Sequence, residues 1–285
     1  MPSIITLTMN PALDTSMTID QVRPEVKLRC SRPKRDPGGG GLNVARAAKE
    51  LGGEATATHT AGGHTGRELS DLLDEEGLAH QSVEIEDATR ENVTVIEDEG
   101  GRQFRFNAPG ARLSEDEVDR CADAVEKRLA SGDLLVLSGS LPPGADSTFY
   151  ARMARIAKER SARVVGDTSG DALRALADEG ATMLKPNVRE LNSLAGRELS
   201  DPGEFADAAA ELVREGAAET VIVSMGKQGA LLVRDGVRRF ATAPDVEIQS
   251  RIGAGDSMVA ACALAMLRDM DDDDVLAHGV AAGAA

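Results

Sequence analysis

Cysteine is scarce in this 285-residue chain. Cys30, Cys121 and Cys262 are far apart, odd in number and free of any C-x-x-C or Cys/His cluster, so neither a disulfide framework nor a zinc centre is suggested and reduced packing residues are expected. No apolar run approaches the roughly 20 residues of a membrane span. The opening "MPSIITLTMN" carries neither a charged leader nor a cleavage site. A cytoplasmic protein is expected. Positive charge is also short: 32 Lys and Arg against 48 Asp and Glu give a formal charge of −16. That balance argues against nucleic acid or an anionic membrane as partner. Arginine far outnumbers lysine, a composition suited to a salt-rich cytoplasm. Against this background Lys27, Arg29, Arg32, Lys34 and Arg35 form a basic island, either an ordinary solvated run or a focus for a small anionic substrate.

With 41% apolar residues the chain can bury a full core. Short runs rich in β-branched residues, "IITLT", "LLVLS", "RVVGD", "TMLKP" and "TVIVS", alternate with amphipathic stretches such as 114–129 and 201–215. This pattern predicts βαβ units and a mainly parallel sheet in an α/β fold. Ligands then sit beyond the carboxyl ends of the strands, where Ser138-Gly139-Ser140, Asp167, Lys185-Pro186-Asn187 and Ser224-Met225-Gly226 fall. Two segments, 14–32 and 92–106, read as strands without intervening helices, the second folded at "DEGGR". They predict a small antiparallel sheet that serves as a lid or a dimer contact. No linker, repeat or low-complexity tract divides the chain, and "MDDDD" reads as a solvated helix start.

Four motifs carry candidate chemistry. "PGGGGLNVARAAKELG" sets four glycines before a helix, where bare backbone admits a ligand and free N–H groups await an anion; a flexible loop is the alternative. "SMGKQGALLV" does not fit a Walker A loop, but Ser224, Gly226 and Gly229 offer donors to a nucleotide phosphate unless they only make a hairpin turn. In "KPNVREL", Asn187 and Glu190 have the spacing of a capping box and equally could orient water ligands of Mg²⁺ beside Lys185. "RIGAGDSM" places Asp256 behind Gly253, Ala254 and Gly255 at the start of an apolar helix reaching Leu267. The structural reading is a helix N-terminal acid. The chemical reading is a base beside an anion hole of main-chain amides, as phosphoryl transfer requires. The same helix start is expected to lower the pKa of Asp256, so that positioning counts for more than basicity.

"PGGGGLNVARA" and "GAGDSMVAACALAM", with "TLTMNPALD", "EVKLRC", "AGGHTG", "TREN", "SGSLPPG", "DTSGDAL", "KPNVREL" and "VSMGKQGAL" between them, resemble the ribokinase-like sugar kinases of the PfkB family over nearly the whole chain. The resemblance implies a three-layer αβα sandwich with a mainly parallel central sheet and a β lid formed by about 14–35 and 90–107, in a single domain over 1–285. It implies an ATP-dependent kinase of sugar phosphates working with Mg²⁺ in a homodimer paired through the lid. Fructose 6-phosphate, phosphorylated at its 1-hydroxyl, is the favoured acceptor. The four-glycine run weighs against fructose 1-phosphate and tagatose 6-phosphate kinases, which usually carry a lysine there.

Carried over by position, Asp14 and Asn43 would hold sugar hydroxyls, Gly39 would back the ring and Ser140 would line the pocket. Arg90 would bind the sugar's phosphate, and Lys27 would reach a phosphate in the closed site. Lys185, Asn187, Ser224, Gly226 and Gly229 would surround the nucleotide, Glu190 would act on Mg²⁺ through water, and Asp256 would be the base. Ser250 and Ile252 match half of a K⁺ site. The family's usual C-terminal segment is expected to be absent, which bears on nucleotide affinity and potassium response. A 1-phosphofructokinase, a tagatose-6-phosphate kinase and a non-catalytic sugar-phosphate or nucleotide sensor are the alternatives.

Overall fold

A computed structural model describes residues 2–244 and 253–284. The first half runs β1 (Ile4–Thr8), β2 (Ala12–Ile19), β3 (Lys34–Gly38), α1 (Gly40–Glu50), β4 (Ala55–Gly62), α2 (Gly63–Glu75), β5 (His80–Ile85), β6 (Arg90–Glu97) and β7 (Gln103–Phe106). The second runs α3 (Glu115–Glu126), β8 (Leu134–Ser138), α4 (Phe149–Glu159), β9 (Arg163–Asp167), α5 (Gly170–Glu179), β10 (Ala181–Leu184), α6 (Val188–Ala195), α7 (Pro202–Arg214) and β11 (Ala218–Ser224). It closes with β12 (Ala230–Arg234), β13 (Val237–Ala241), α8 (Ala254–Leu267) and α9 (Asp272–Ala284).

The large sheet has nine strands in the order β13-β12-β11-β10-β9-β8-β1-β4-β5. All pair in parallel except β12 and β13, which fold back antiparallel from β11. Strand alternation feeds two cores. Ile5, Leu7, Leu135, Leu137, Val221 and Val223 point to the face packed by α3–α7, whereas Ile4, Leu134, Val136 and Ile222 point to α1, α8 and α9. The expected αβα sandwich follows, because central strands such as β1 and β8 are buried on both faces and each face needs a helical cover. No described helix is long and apolar enough to cross a membrane.

Local caps set several helix ends where the pattern placed them. Ser114 and Glu117 make a reciprocal capping box at α3, and Asp201 accepts from the Gly203 and Glu204 N–H groups at α7. Each such cap stabilises its helix by about 1 kcal/mol.

The second sheet has the order β3-β2-β6-β7. Its outer pairings, β2–β3 and β6–β7, are antiparallel as expected, while the central β2–β6 pairing is parallel. The segment 20–33, expected to continue as strand, carries none. Pro24 and Pro33 cannot donate to a ladder, and the Val22 N–H is spent on the buried Glu97 carboxylate at 2.8 Å.

In the large sheet the chain leaves β1 toward β4 and β5, then returns to β8 on the other side of β1. That reversal opens a crevice beyond the carboxyl ends of β1 and β8.

Candidate active site

The glycine run closes this crevice by backbone contact. A Cβ on Gly40 would lie 2.3 Å from Ser138 Oγ, and one on Gly41 would lie 2.8 Å from the Leu7 carbonyl oxygen. Gly39 has a φ of 127°, and its Cβ would meet Thr8 and Pro11. The run therefore lets α1 begin directly on the strand ends, a packing need that the ligand-loop reading of the sequence did not contain.

Residues 43 and 256 meet here. Asn43, in the first turn of α1, donates from Nδ2 to Asp256 Oδ2 at 2.9 Å. Asp256 lies in the first turn of α8, whose N-cap Gly253 has a φ of 82° and no side-chain cap. The first intrahelical bond there runs from Ser257 N–H to Gly253 O at 2.7 Å. The amides of Ala254, Gly255 and Asp256 thus have no intrahelical acceptor and face the space ahead of the helix. Gly255 leaves room for the Lys185 ammonium, 3.5 Å from where its Cβ would stand.

Lys185 is buried and pairs with Asp167 across 3.0 Å. Burial pulls its pKa down, but Asp167 together with the Glu190 and Asp256 carboxylates more than offsets this, so the net direction is up. Asp256 departs from expectation: burial first, then the negative charge of Asp167, push its pKa from 3.8 to about 6, although Asn43 and Lys185 oppose the rise. The expected lowering by the helix start does not hold, because desolvation of the carboxylate outweighs a terminal dipole. Glu190 is raised as well, by burial before the Asp167 charge.

Asn187 and Glu190 do form the capping box of α6, with bonds of 2.9 and 3.0 Å. That structural role does not exhaust Glu190, since Oε2 alone receives the Asn187 N–H. Asn187 also bridges to Ser224, joining the ends of β10 and β11. Gly226 has a φ of 58° and open space where a Cβ would be. Gly229 differs: its Cβ would sit 1.9 Å from the Ala241 carbonyl oxygen, so its glycine serves the packing of the hairpin on β13.

On the side of the small sheet, Asp14 is half-buried, and burial raises its pKa against a hydrogen bond from Asn92. Arg90 donates to the carbonyls of Asn10 (2.9 Å), Pro11 (3.3 Å) and Ala108 (3.4 Å), so much of its guanidinium ties the small sheet to the end of β1. Asn10 in turn donates to Ser140 Oγ at 3.0 Å. Lys27 stands exposed in the 20–33 segment, where no described hydrogen bond or ion pair draws it into the crevice. Ser250 and Ile252, the expected K⁺ residues, lie outside the described residues.

Three polar residues acquire importance only here. Asp167 had been visible as a strand-end acid, but without its partner Lys185. Asn10 and Asn92 fall within the "TLTMNPALD" and "TREN" motifs, but nothing in the sequence indicated which groups their amides hold.

An αβα sandwich with uncapped helix amides, a buried acid and a lysine at its strand ends defines a phosphoryl-transfer enzyme of the kinase class. The chain belongs to the pfkB family of carbohydrate kinases, whose family model matches residues 7–285. It is 44% identical over 286 residues to the ATP-dependent 6-phosphofructokinase isozyme 2 of Escherichia coli, covering 100% of this chain and 92% of that protein. The isozyme 2 of Mycobacterium tuberculosis is 45% identical over 285 residues, with 100% and 84% covered. A crystal structure of Escherichia coli phosphofructokinase-2 in complex with fructose-6-phosphate superposes with a TM-score of 0.95 at 43% identity, covering 100% and 93%. Structures of that protein with potassium and in a tetrameric inhibited form superpose at 0.96 and 0.95, with 43% and 44% identity, each covering 100% of this chain and 92% and 93% of theirs.

Proposed function

We propose that this chain is an ATP-dependent 6-phosphofructokinase that transfers the γ-phosphoryl of ATP to the 1-hydroxyl of fructose 6-phosphate. The observation that carries this reading is the Asn43-held carboxylate of Asp256 beside the uncapped amides of α8. In that reading Asp256 accepts the proton of the 1-hydroxyl as the sugar oxygen bonds to phosphorus, and the bond from phosphorus to the β,γ-bridging oxygen breaks to release ADP. The amides of Ala254, Gly255 and Asp256 receive the equatorial oxygens of the moving group. An Asp256 pKa near 6 leaves the base ionised at neutral pH and still able to take a proton.

Asp14 and Asn43 hold sugar hydroxyls, with Gly39 and Ser140 beside the ring, and the unspent donors of Arg90 meet the sugar's phosphate. Lys185, Asn187, Ser224 and Gly226 flank the nucleotide. Three carboxylates, Asp167, Glu190 and Asp256, act on one buried ammonium, and two of them have raised pKa values. This surplus of negative charge suits Mg²⁺ arriving with the nucleotide phosphates. Glu190 would hold it through water, and the ion would neutralise charge on the phosphates.

The lid exposes Val26, Leu28 and Phe106 at 57%, 38% and 60%. An apolar set of this kind supports a homodimer paired through the lid.

Steady-state kinetics on fructose 6-phosphate, fructose 1-phosphate and tagatose 6-phosphate, with and without potassium, test the proposal. Fructose 6-phosphate should show the highest kcat/KM, and Asp256→Asn should lower turnover by about a thousandfold or more while sugar binding persists. A preference for fructose 1-phosphate or tagatose 6-phosphate, or ligand-induced melting shifts without ADP formation, would replace it with the corresponding alternative.

A further inference from the structure

Asp14 and Asn92 are directly opposed in the parallel β2–β6 register. Asn92 donates from Nδ2 to Asp14 Oδ1 at 2.9 Å, while its Oδ1 accepts the Ala108 N–H at 3.2 Å. The second bond fixes which way the amide faces, so the donor end is turned to the carboxylate. The other oxygen, Oδ2, occupies the space over Gly38, 2.1 Å from where a Cβ would stand. The carboxylate is thus held from one side by an amide and admitted on the other by a missing side chain.

We propose that Asn92 is a positioning residue that orients the Asp14 carboxylate toward the sugar. The inference rests on the sugar-contact reading of Asp14. With Oδ1 committed to Asn92, Oδ2 is the oxygen left to accept sugar hydroxyls. Because Ala108 also receives Arg90 through its carbonyl, one residue of the chain returning from β7 registers both the sugar-hydroxyl and sugar-phosphate contacts. The charged groups acting on Asp14 are Arg90, Asp36 and Arg46; Asn92 is the neutral donor that favours its ionised form.

Three substitutions separate this role from plain support of the backbone. Asn92→Ala removes both bonds. Asn92→Asp keeps an acceptor for the Ala108 N–H but turns a second carboxylate toward Asp14. If Asn92 acts through Asp14, Asn92→Ala should raise KM for fructose 6-phosphate about tenfold, with a smaller change in kcat and an unchanged KM for ATP. Asn92→Asp should be worse than Asn92→Ala. In an Asp14→Asn background, Asn92→Ala should add little. A milder effect of Asn92→Asp than of Asn92→Ala, or an undiminished effect in the Asp14→Asn background, overturns the positioning role and leaves the sugar contact standing. An unchanged KM in Asp14→Asn alone overturns the sugar contact and this role with it.

Discussion

Asp256→Asn should lower turnover about a thousandfold or more and yet make the protein more stable at neutral pH. The carboxylate is buried in the fold, where its pKa rises from 3.8 to about 6. Below the unfolded value the group is protonated in both states and costs nothing extra. As pH climbs through about 6 the folded state must ionise it in a poorly hydrated site, so its contribution to stability is lost across that window. The rise corresponds to about 3 kcal/mol, an upper value because the site is coupled to Asp167 and Lys185. Asparagine is nearly isosteric and can still accept from Asn43 Nδ2, so the change removes charge with little repacking. Thermal melts of parent and variant at pH 4 and pH 8 read the difference directly: at pH 8 the variant should melt several degrees higher, at about 2–4 °C per kcal/mol, and near pH 4 the gain should shrink toward zero. A variant less stable than the parent at pH 8, or a gain independent of pH, would refute the argument that desolvation dominates this site.

Asn43→Ala removes a bond that lowers the Asp256 pKa, so the acid limb of the kcat/KM profile should move to higher pH; an unmoved limb would separate the two residues. Asp167→Asn removes the carboxylate paired with the buried Lys185 ammonium, leaving it the charges of Glu190 and Asp256, and should cost about 1–3 kcal/mol in urea unfolding. It also removes a charge that raises the Asp256 pKa, so its acid limb should shift to lower pH. Gly41→Ala would force a methyl to within 2.8 Å of the Leu7 carbonyl oxygen and should destabilise by about 1–3 kcal/mol, measured as a lower denaturation midpoint.

Much of the architecture follows from short-range pattern. "IITLT" is β1 in full, and the stretch 201–215 becomes α7 with Asp201 as its cap. Where the pattern failed, in 20–33, two prolines and a side-chain claim on the Val22 N–H replaced the ladder. The site was partly legible because the residues just beyond strand ends are few, and Asp167, Lys185, Asn187 and Ser224 are among them. Glycines were less so: "GGGG" and "GKQG" look alike as loops, yet Gly226 faces open space while Gly41 and Gly229 answer steric contact with distant backbone.

By itself the sequence determined most stretches that become strand or helix and several helix starts, and its net charge of −16 weighs against polyanionic partners. Each of these depends on neighbours within one or two turns of chain, or on a sum that ignores position. Only the tertiary structure decided that Asn43 grips Asp256, 213 positions away, and that Asp167 neutralises Lys185. It alone also turned the Asp256 pKa upward, because desolvation is the combined exclusion of water by the whole fold, which no local spacing encodes.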